Sequence, residues 1–150
     1  MEDWKYNSRR GSYWKKEEAM LKMSKRTEVY KDFDTNSSVV RILPKDSKVI
    51  YREIILANQH LWVECVGITE TFYIPLRRWN GYPPNSKKYK LGALQHEIIE
   101  IGRKEKSMKK DTKNGVDIYI DNDKEIMYIS NLRKNKVPEY REWFKKVRGV

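Results

Sequence analysis

The sequence predicts a mainly β protein: a small barrel of five strands, with a helical appendage before it and a β-hairpin and helix after it. Between about residues 36 and 101, turn-forming residues recur roughly every ten positions, as they do in small all-β barrels. Within that stretch, residues 61–66 alternate between two sets of side chains with the period of a strand. Helical spacing of apolar residues occurs only near the two ends of the chain.

Each strand of the barrel is predicted from a short apolar run between turns. Pro75 lies inside the fourth run, and because proline donates no N–H to a ladder, that strand is predicted to lie at an edge or to carry a bulge. Residues 81–90 contain two prolines and are predicted to form a loop. The five predicted strands cover residues 39–43, 49–56, 61–66, 71–76 and 94–101.

The flanks have different patterns. Residues 12–23 predict a helix with Ser12 as its cap, on the basis of a narrow apolar stripe. After the barrel, residues 103–115 predict a basic connector, residues 116–130 a hairpin, and Pro138 the start of a last helix. The predicted organisation is a basic N-terminal extension, a barrel and a basic C-terminal extension, at residues 1–35, 36–102 and 103–150.

The charge of the chain favours an anionic partner without choosing one. The net charge is +11, and the excess of basic residues is spread along the whole sequence. Such a field suits a wall polymer, a nucleic acid or an acidic protein. No apolar run is long enough to span a bilayer, and the N-terminal residues lack the apolar core of a signal peptide. We therefore predict synthesis in the cytoplasm and no membrane partner.

Residues suited to catalysis are few. The sequence has a single cysteine, Cys65, and two histidines, His60 and His96. Cys65 shares the strand parity of apolar neighbours, so we predict that it packs in the core. Because it is the only cysteine in the sequence, an internal disulfide is excluded. Two histidines without paired spacing predict no zinc site, and residues 121–125 lack the calcium-loop pattern. We predict no enzymatic activity, no metal and no cofactor.

One motif carries a family resemblance. A strand with hydrophobic-x-Tyr-x-Glu is followed by a turn with His, by Trp-Val, by Tyr-hydrophobic-Pro-hydrophobic-Arg-x-Trp-Asn and by Leu-Gly-x-Leu. This arrangement resembles the bacterial Src-homology-3 (SH3b) family of cell-wall-targeting modules, of the lysostaphin and phage endolysin type, over about residues 36–101. The residues that match are Tyr51, Glu53, His60, Trp62, Val63, Tyr73, Pro75, Arg77, Trp79, Asn80, Leu91, Gly92 and Leu94.

The resemblance implies a ligand groove. In such modules a glycine-rich cross-bridge peptide lies beside the barrel, and the match places Glu53, Ile55 and Tyr73 in the lining. A peptide without side chains is held through its amides, so a carboxylate that accepts N–H groups and flat rings that exclude water suit the task. Arg77 and Trp79, also on the motif, complete the candidate ligand-binding set. Ordinary barrel packing explains Trp79 better than binding does, and it explains Tyr73 equally well.

The sequence departs from the family pattern at one wall of that groove. The family has Leu-Gly-x-Leu-Trp-Gly, whereas Gln95 and His96 stand here in place of the Trp and the last Gly. A groove without its largest ring is expected to bind a bare glycine peptide poorly. The fold is then retained while the ligand has changed.

Two functions from different classes are compatible with these observations. The first is a non-catalytic recognition module for Gram-positive cell-wall peptidoglycan, from a phage or mobile element. It would bind a peptide cross-bridge or an anionic wall polymer and act at the wall after release. The alternative is an intracellular inhibitor, for example an anti-CRISPR protein, that uses the barrel to bind an acidic protein surface or a nucleoprotein. Residues 4–14 interleave basic residues with rings and suit either a solvated tail or nucleobase stacking.

Overall fold

The computed structural model describes residues 4–66 and 70–99, the backbone of three strands within residues 110–130, and Glu142. Eight strands form one antiparallel sheet and three form a second. The strands are β1 (Lys5–Asn7), β2 (Ser12–Lys22), β3 (Thr27–Tyr30), β4 (Val39–Leu43), β5 (Lys48–Ala57), β6 (His60–Val66), β7 (Thr71–Arg78), β8 (Glu97–Ile99), β9 (Lys110–Lys113), β10 (Val116–Asp121) and β11 (Ile126–Ser130).

The larger sheet has the order β1-β2-β5-β6-β7-β3-β4, and β8 pairs with β2. Its centre is the hairpin of β5 and β6, in which almost every residue is buried. Asn58 and Gln59 connect these strands, and both have positive φ, at 46° and 67°. A two-residue turn of this kind matches the twist of paired strands, so it sets the register in which Ala57 pairs with His60.

The predicted mainly β class is confirmed, and the first four predicted strands correspond to β4, β5, β6 and β7. The predicted bulge is confirmed as well. Trp62 pairs with Pro75 and Leu61 pairs with Arg77, so Leu76 is the extra residue on β7 beside the proline. The predicted closing strand is shorter at its start, because β8 begins at Glu97.

The predicted N-terminal helix is wrong, because residues 12–22 form strand β2. β2 pairs with β5 on both sides of a bulge between Lys16 and Ala19. Tyr13 packs against the main core, whereas Trp14, its neighbour, packs against a second cluster on the opposite side. Side chains therefore pack on both sides of the strand, and a strand covered on both sides gives no clear period-two pattern. Long-range pairing with β5 overrides the weak helical stripe.

The C-terminal predictions are partly confirmed. Strands β10 and β11 form the predicted hairpin, in which Asp121 pairs with Ile126. The predicted connector at residues 103–115 is wrong in part, because β9 lies within it and pairs with β10. The predicted last helix lies outside the described residues except for Glu142, which is helical. No helix among the described residues is long and apolar enough to cross a membrane.

The buried side chains form two clusters. The main core contains the apolar side chains that β2, β3, β5, β6 and β7 direct inward. A smaller cluster on the other side of the sheet contains Phe33, Ile55, Ala57 and Trp62. Strands β1 to β3 share the sheet with the predicted barrel, so the boundary predicted near residue 36 separates strands that belong to one sheet.

Candidate functional site

The structure divides the predicted site residues among three places. Glu53, Ile55 and Tyr73 come together on one side of the sheet, around the smaller cluster. Trp79 belongs to the main core. Arg77 lines a cleft between strands β3 and β7. The predicted groove residues Glu53, Ile55 and Tyr73 therefore lie together, whereas Arg77 and Trp79 lie apart from them.

The smaller cluster gives the sheet an aromatic face, made of Trp14, Tyr30, Phe33, Trp62 and Tyr73. Tyr30 and Trp62 meet edge to face with ring centres 5.9 Å apart, and Phe33 and Tyr73 do so at 5.4 Å. Such perpendicular contacts favour a fixed arrangement of the rings. The register of the strands brings these side chains together, because Ile55 pairs with Trp62 and Tyr30 pairs with Tyr73 across neighbouring strands.

A buried carboxylate organises the edge of the aromatic face. Glu64 accepts a hydrogen bond from Arg52 Nε at 2.8 Å on one oxygen and from the Tyr73 hydroxyl at 2.8 Å on the other. The side chains of Arg52 and Glu64 are only 9% and 1% exposed. Burial, reinforced by the nearby Glu64 carboxylate, raises the pKa of Tyr73 well above its ordinary value, so the phenol stays protonated and donates.

Sequence reasoning missed this ion pair. The available signal was the appearance of Arg52, next to Glu53, and of Glu64 in largely apolar runs on adjacent strands. Charges in such runs are buried only when they are paired.

Two of the three predicted groove residues are enclosed. Glu53 is 6% exposed and Ile55 is 1% exposed. The backbone of β11 lies close to β5 and β6, which carry these residues and their neighbours. Of the predicted lining, only Tyr73 is half-buried rather than buried. Their predicted role in binding is untested, and the burial of Glu53 and Ile55 favours packing.

Trp79 has a packing role. Its indole Nε1 donates to the carbonyl of Tyr82 at 2.8 Å, and its ring meets Tyr13 edge to face at 6.3 Å. The residue is only 9% exposed. These contacts tie the loop after β7 to the main core, in agreement with the packing explanation that the sequence favoured.

An open cleft lies between β3 and β7. The two strands pair only at Tyr30 and Tyr73, and beyond that pair the space between them forms a cleft of about 550 Å³. Pro75 lies two residues past Tyr73 and lines the cleft. Because proline has no N–H, it cannot donate to a continued ladder there. The proline is thus a local feature of the sequence at the place where the two strands separate.

The loop before β8 forms another wall of the cleft. Gly92 N–H donates to the carbonyl of Arg78 at 2.8 Å, and any Cβ at Gly92 would lie 3.2 Å from the Arg78 Cβ. Glycine thus permits this close approach of the loop to β7. Gln95 follows, with its N–H bonded to the Leu76 carbonyl at 3.0 Å, and its side chain lines the cleft with His96.

The lining of the cleft is strongly basic. It contains four basic side chains and one acidic one, and among the residues that the structure describes none of the four is in a salt bridge. The Nε of Arg77 is buried and has no hydrogen-bond partner within that part of the chain. We define the cationic cleft by these charged residues: Lys25, Arg26, Glu28, Arg77 and Arg78.

His96 is held at the cleft as a neutral ring. It is 4% exposed, and its Nδ1 accepts the Ser24 N–H at 3.2 Å. Burial lowers the pKa of His96, and the neighbouring Lys25 ammonium lowers it further. With Nδ1 as the acceptor, the ring proton of the neutral form lies on Nε2. The ring joins the loop before β8 to the turn before β3.

The one thiol is placed in the core, as predicted. Cys65 is buried completely, and burial raises the pKa of its thiol well above the usual value. A protonated, enclosed thiol is a poor nucleophile. Within the described ranges, no group of three or more histidine, cysteine or acidic side chains is arranged to hold a metal ion.

Comparison with known proteins identifies the fold. No protein-family model matches the sequence, and no curated protein does. Among solved structures, the chain is similar to the SH3b domain of lysostaphin, described as a P4-G5 complex, with 23% identity and a TM-score of 0.55. That match covers 64% of this chain and 99% of the domain. The chain covers 39% of full-length lysostaphin from Staphylococcus simulans.

Two other structures have the same fold. The cell-wall-targeting domain of the peptidoglycan hydrolase ALE-1 is 22% identical with a TM-score of 0.55, over 64% of this chain and 93% of that one. The cell-wall-binding domain of the staphylococcal phage 2638A endolysin is 29% identical with a TM-score of 0.54, over 63% of this chain and all of that one (100%). The resemblance to SH3b domains seen in the sequence is therefore confirmed.

Proposed function

We propose that this protein is a non-catalytic recognition module for the Gram-positive cell wall, encoded by a phage or mobile element and acting at the wall after release. The observation that carries the proposal is the shared fold. The chain spans nearly the whole wall-binding domain of lysostaphin and the whole wall-binding domain of a phage endolysin. The enclosed thiol further supports a binding role rather than a catalytic one.

The cationic cleft is the part of the surface best suited to the ligand. It is open, whereas the predicted groove residues Glu53 and Ile55 are buried. Its volume of about 550 Å³ lies within the range of sites that take a small ligand or part of a polymer. Arg77, one of the predicted binding residues, lines it. We therefore assign wall binding to the cleft.

Co-sedimentation with purified walls tests the proposal. The full chain is mixed with walls of several Gram-positive species at low and at physiological salt, and the protein in the pellet is measured. We expect wild type to pellet and Arg77→Gln to remain largely in the supernatant. Arg9→Gln, which removes one exposed positive charge outside the cleft, is the matched control and should pellet as wild type does.

A wild-type protein that stays in the supernatant with every wall would contradict the proposal. The second candidate function, an intracellular inhibitor of a nucleoprotein, draws on the same basic cleft, since a cationic surface also suits nucleic acid. A mobility shift with single-stranded RNA or DNA, in the absence of any wall binding, would favour that alternative.

A further inference from the structure

We propose that the cationic cleft binds the phosphodiester groups of a polyol-phosphate polymer of the cell wall. The phosphate chemistry follows from the cleft alone, whereas the choice of a wall polymer rests on the proposed function. The ligand would thus be anionic rather than the neutral glycine peptide that the family resemblance implies.

The charges carry the first step. Lys25, Arg26, Arg77 and Arg78 converge on one cleft against the single carboxylate of Glu28, and none of the four is in a salt bridge within the described part of the chain. An open cleft lined by four positive charges and one negative charge has a positive potential, which attracts an anion. Guanidinium groups match phosphate oxygens in planar, paired geometry.

The second step is an enclosed donor. The Arg77 Nε–H lies out of contact with solvent and has no hydrogen-bond partner in the described residues. A buried donor left without a partner costs roughly 1–3 kcal/mol. A phosphate oxygen is a strong acceptor, and a shift of the Arg77 side chain that opens this N–H to the cleft would let a bound phosphate remove the cost.

The third step concerns what the cleft lacks. Where the family places a Trp, the chain has Gln95, whose side chain lines the cleft. Tyr30 and His60 meet Trp62 in T-shaped contacts, and His96 is 4% exposed. None of these lining rings is a fully exposed platform on which a nucleobase or a bare peptide would stack. This favours a chain of phosphates and small polyols over nucleic acid.

Two double variants with equal charge test the site. Lys25→Gln with Arg26→Gln removes two positive charges from the cleft, and Arg9→Gln with Lys87→Gln removes two from exposed positions outside it. Each lowers the net charge from +11 to +9. Binding of poly(glycerol phosphate) is measured by calorimetry at about 0.15 M salt, where charges farther apart than about 8 Å are largely screened.

We expect the cleft variant to lose at least about tenfold in affinity, and the control variant to stay within about twofold of wild type. Equal losses of affinity in the two variants would show that the diffuse positive charge of the protein causes binding, and would contradict a binding site in the cleft. Tighter binding of single-stranded DNA than of poly(glycerol phosphate), lost in the same cleft variant, would overturn the assignment to a wall polymer.

A final arm separates this inference from the proposed function. Walls are compared before and after hydrofluoric acid removes their phosphodiester-linked polymers. We expect wild type to bind intact walls and to lose most binding to stripped ones. Equal binding to both would leave the wall-binding function standing and overturn the phosphate inference. Failure to bind either wall would contradict the proposed function and the wall polymer as ligand, while calorimetry with the free polymer would still decide the phosphate site.

Discussion

The aromatic face and the cationic cleft meet at Tyr30, yet charge is arranged in opposite ways in the two regions. On the aromatic face, Arg52 and Glu64 are enclosed together, and Tyr73 completes the hydrogen bonds of the carboxylate. In the cleft, four basic side chains line an open space with one carboxylate among them. A charge that is paired inside the protein avoids the cost of being buried alone, whereas a charge that the fold leaves open is available to a ligand.

This contrast alters the expectation drawn from the family resemblance. The carboxylate and ring predicted to hold a peptide, Glu53 and Tyr73, lie on the closed region. The two residues that depart from the family pattern, Gln95 and His96, line the open one. The fold of a wall-binding domain is thus retained while the accessible chemistry is basic.

The largest expected effect comes from breaking the enclosed ion pair. Glu64→Leu removes the carboxylate that Arg52 and Tyr73 share, and disrupting a buried pair in this way costs about 3–5 kcal/mol of unfolding free energy. Urea unfolding followed by fluorescence measures the loss. Glu28→Gln, at the exposed carboxylate of the cleft, should change stability by no more than about 0.5 kcal/mol. Similar losses of unfolding free energy in both variants would contradict the difference between the enclosed charge and the open one.

A smaller effect is expected when only the phenol is removed. Tyr73→Phe keeps the ring against Phe33 and deletes the hydrogen bond to Glu64, at a cost of about 1.5–3 kcal/mol in unfolding free energy. Wall binding by the folded variant should stay within about twofold of wild type. Weaker wall binding at unchanged stability would instead show that the predicted peptide groove is in use.

A substitution in the cleft itself should test its preference for anions, because Gln95→Trp restores the Trp of the family pattern. Gln95→Trp places a large ring in the basic lining and narrows the space for an anion. We expect a loss of about 1 kcal/mol, or roughly fivefold, in affinity for poly(glycerol phosphate), together with a gain for a pentaglycine peptide. Isothermal calorimetry measures the two changes in affinity, one for each ligand. Tighter binding of both ligands would contradict an anion-selective cleft.

The smallest effect concerns pH. Because the pKa of His96 is lower in the folded chain than the ordinary value of about 6.5, the unfolded chain binds a proton first as the solution is acidified. The stabilising contribution of neutral His96 is therefore complete above about pH 6.5 and is lost as the pH falls through the folded-state pKa. Melting temperatures between pH 7.5 and 5 should fall less in His96→Gln than in wild type. Parallel curves for the two proteins would contradict this.

Local patterns in the sequence determined much of the sheet. The alternation of residues 61–66, the turn at Asn58 and Gln59, and the bulge beside Pro75 depend on neighbours along the chain, and the structure has all three. The hairpin of β10 and β11 and the burial of Cys65 were likewise predictable. Short-range stereochemistry and hydrophobic period suffice for such features.

Tertiary structure decided what long-range pairing controls. Residues 12–22 are a strand because β5 offers them a partner, and no local pattern shows that partner. Which strands lie side by side decides that Arg52 pairs with Glu64. The face that each residue occupies decides that Arg77 and Trp79 lie apart from Tyr73. The family resemblance placed Tyr73 in a groove, and Arg77 and Trp79 were predicted to belong to the same ligand-binding set. Contacts across the sheet placed them in a closed face, a core and an open basic cleft, because register and burial act between residues far apart in sequence.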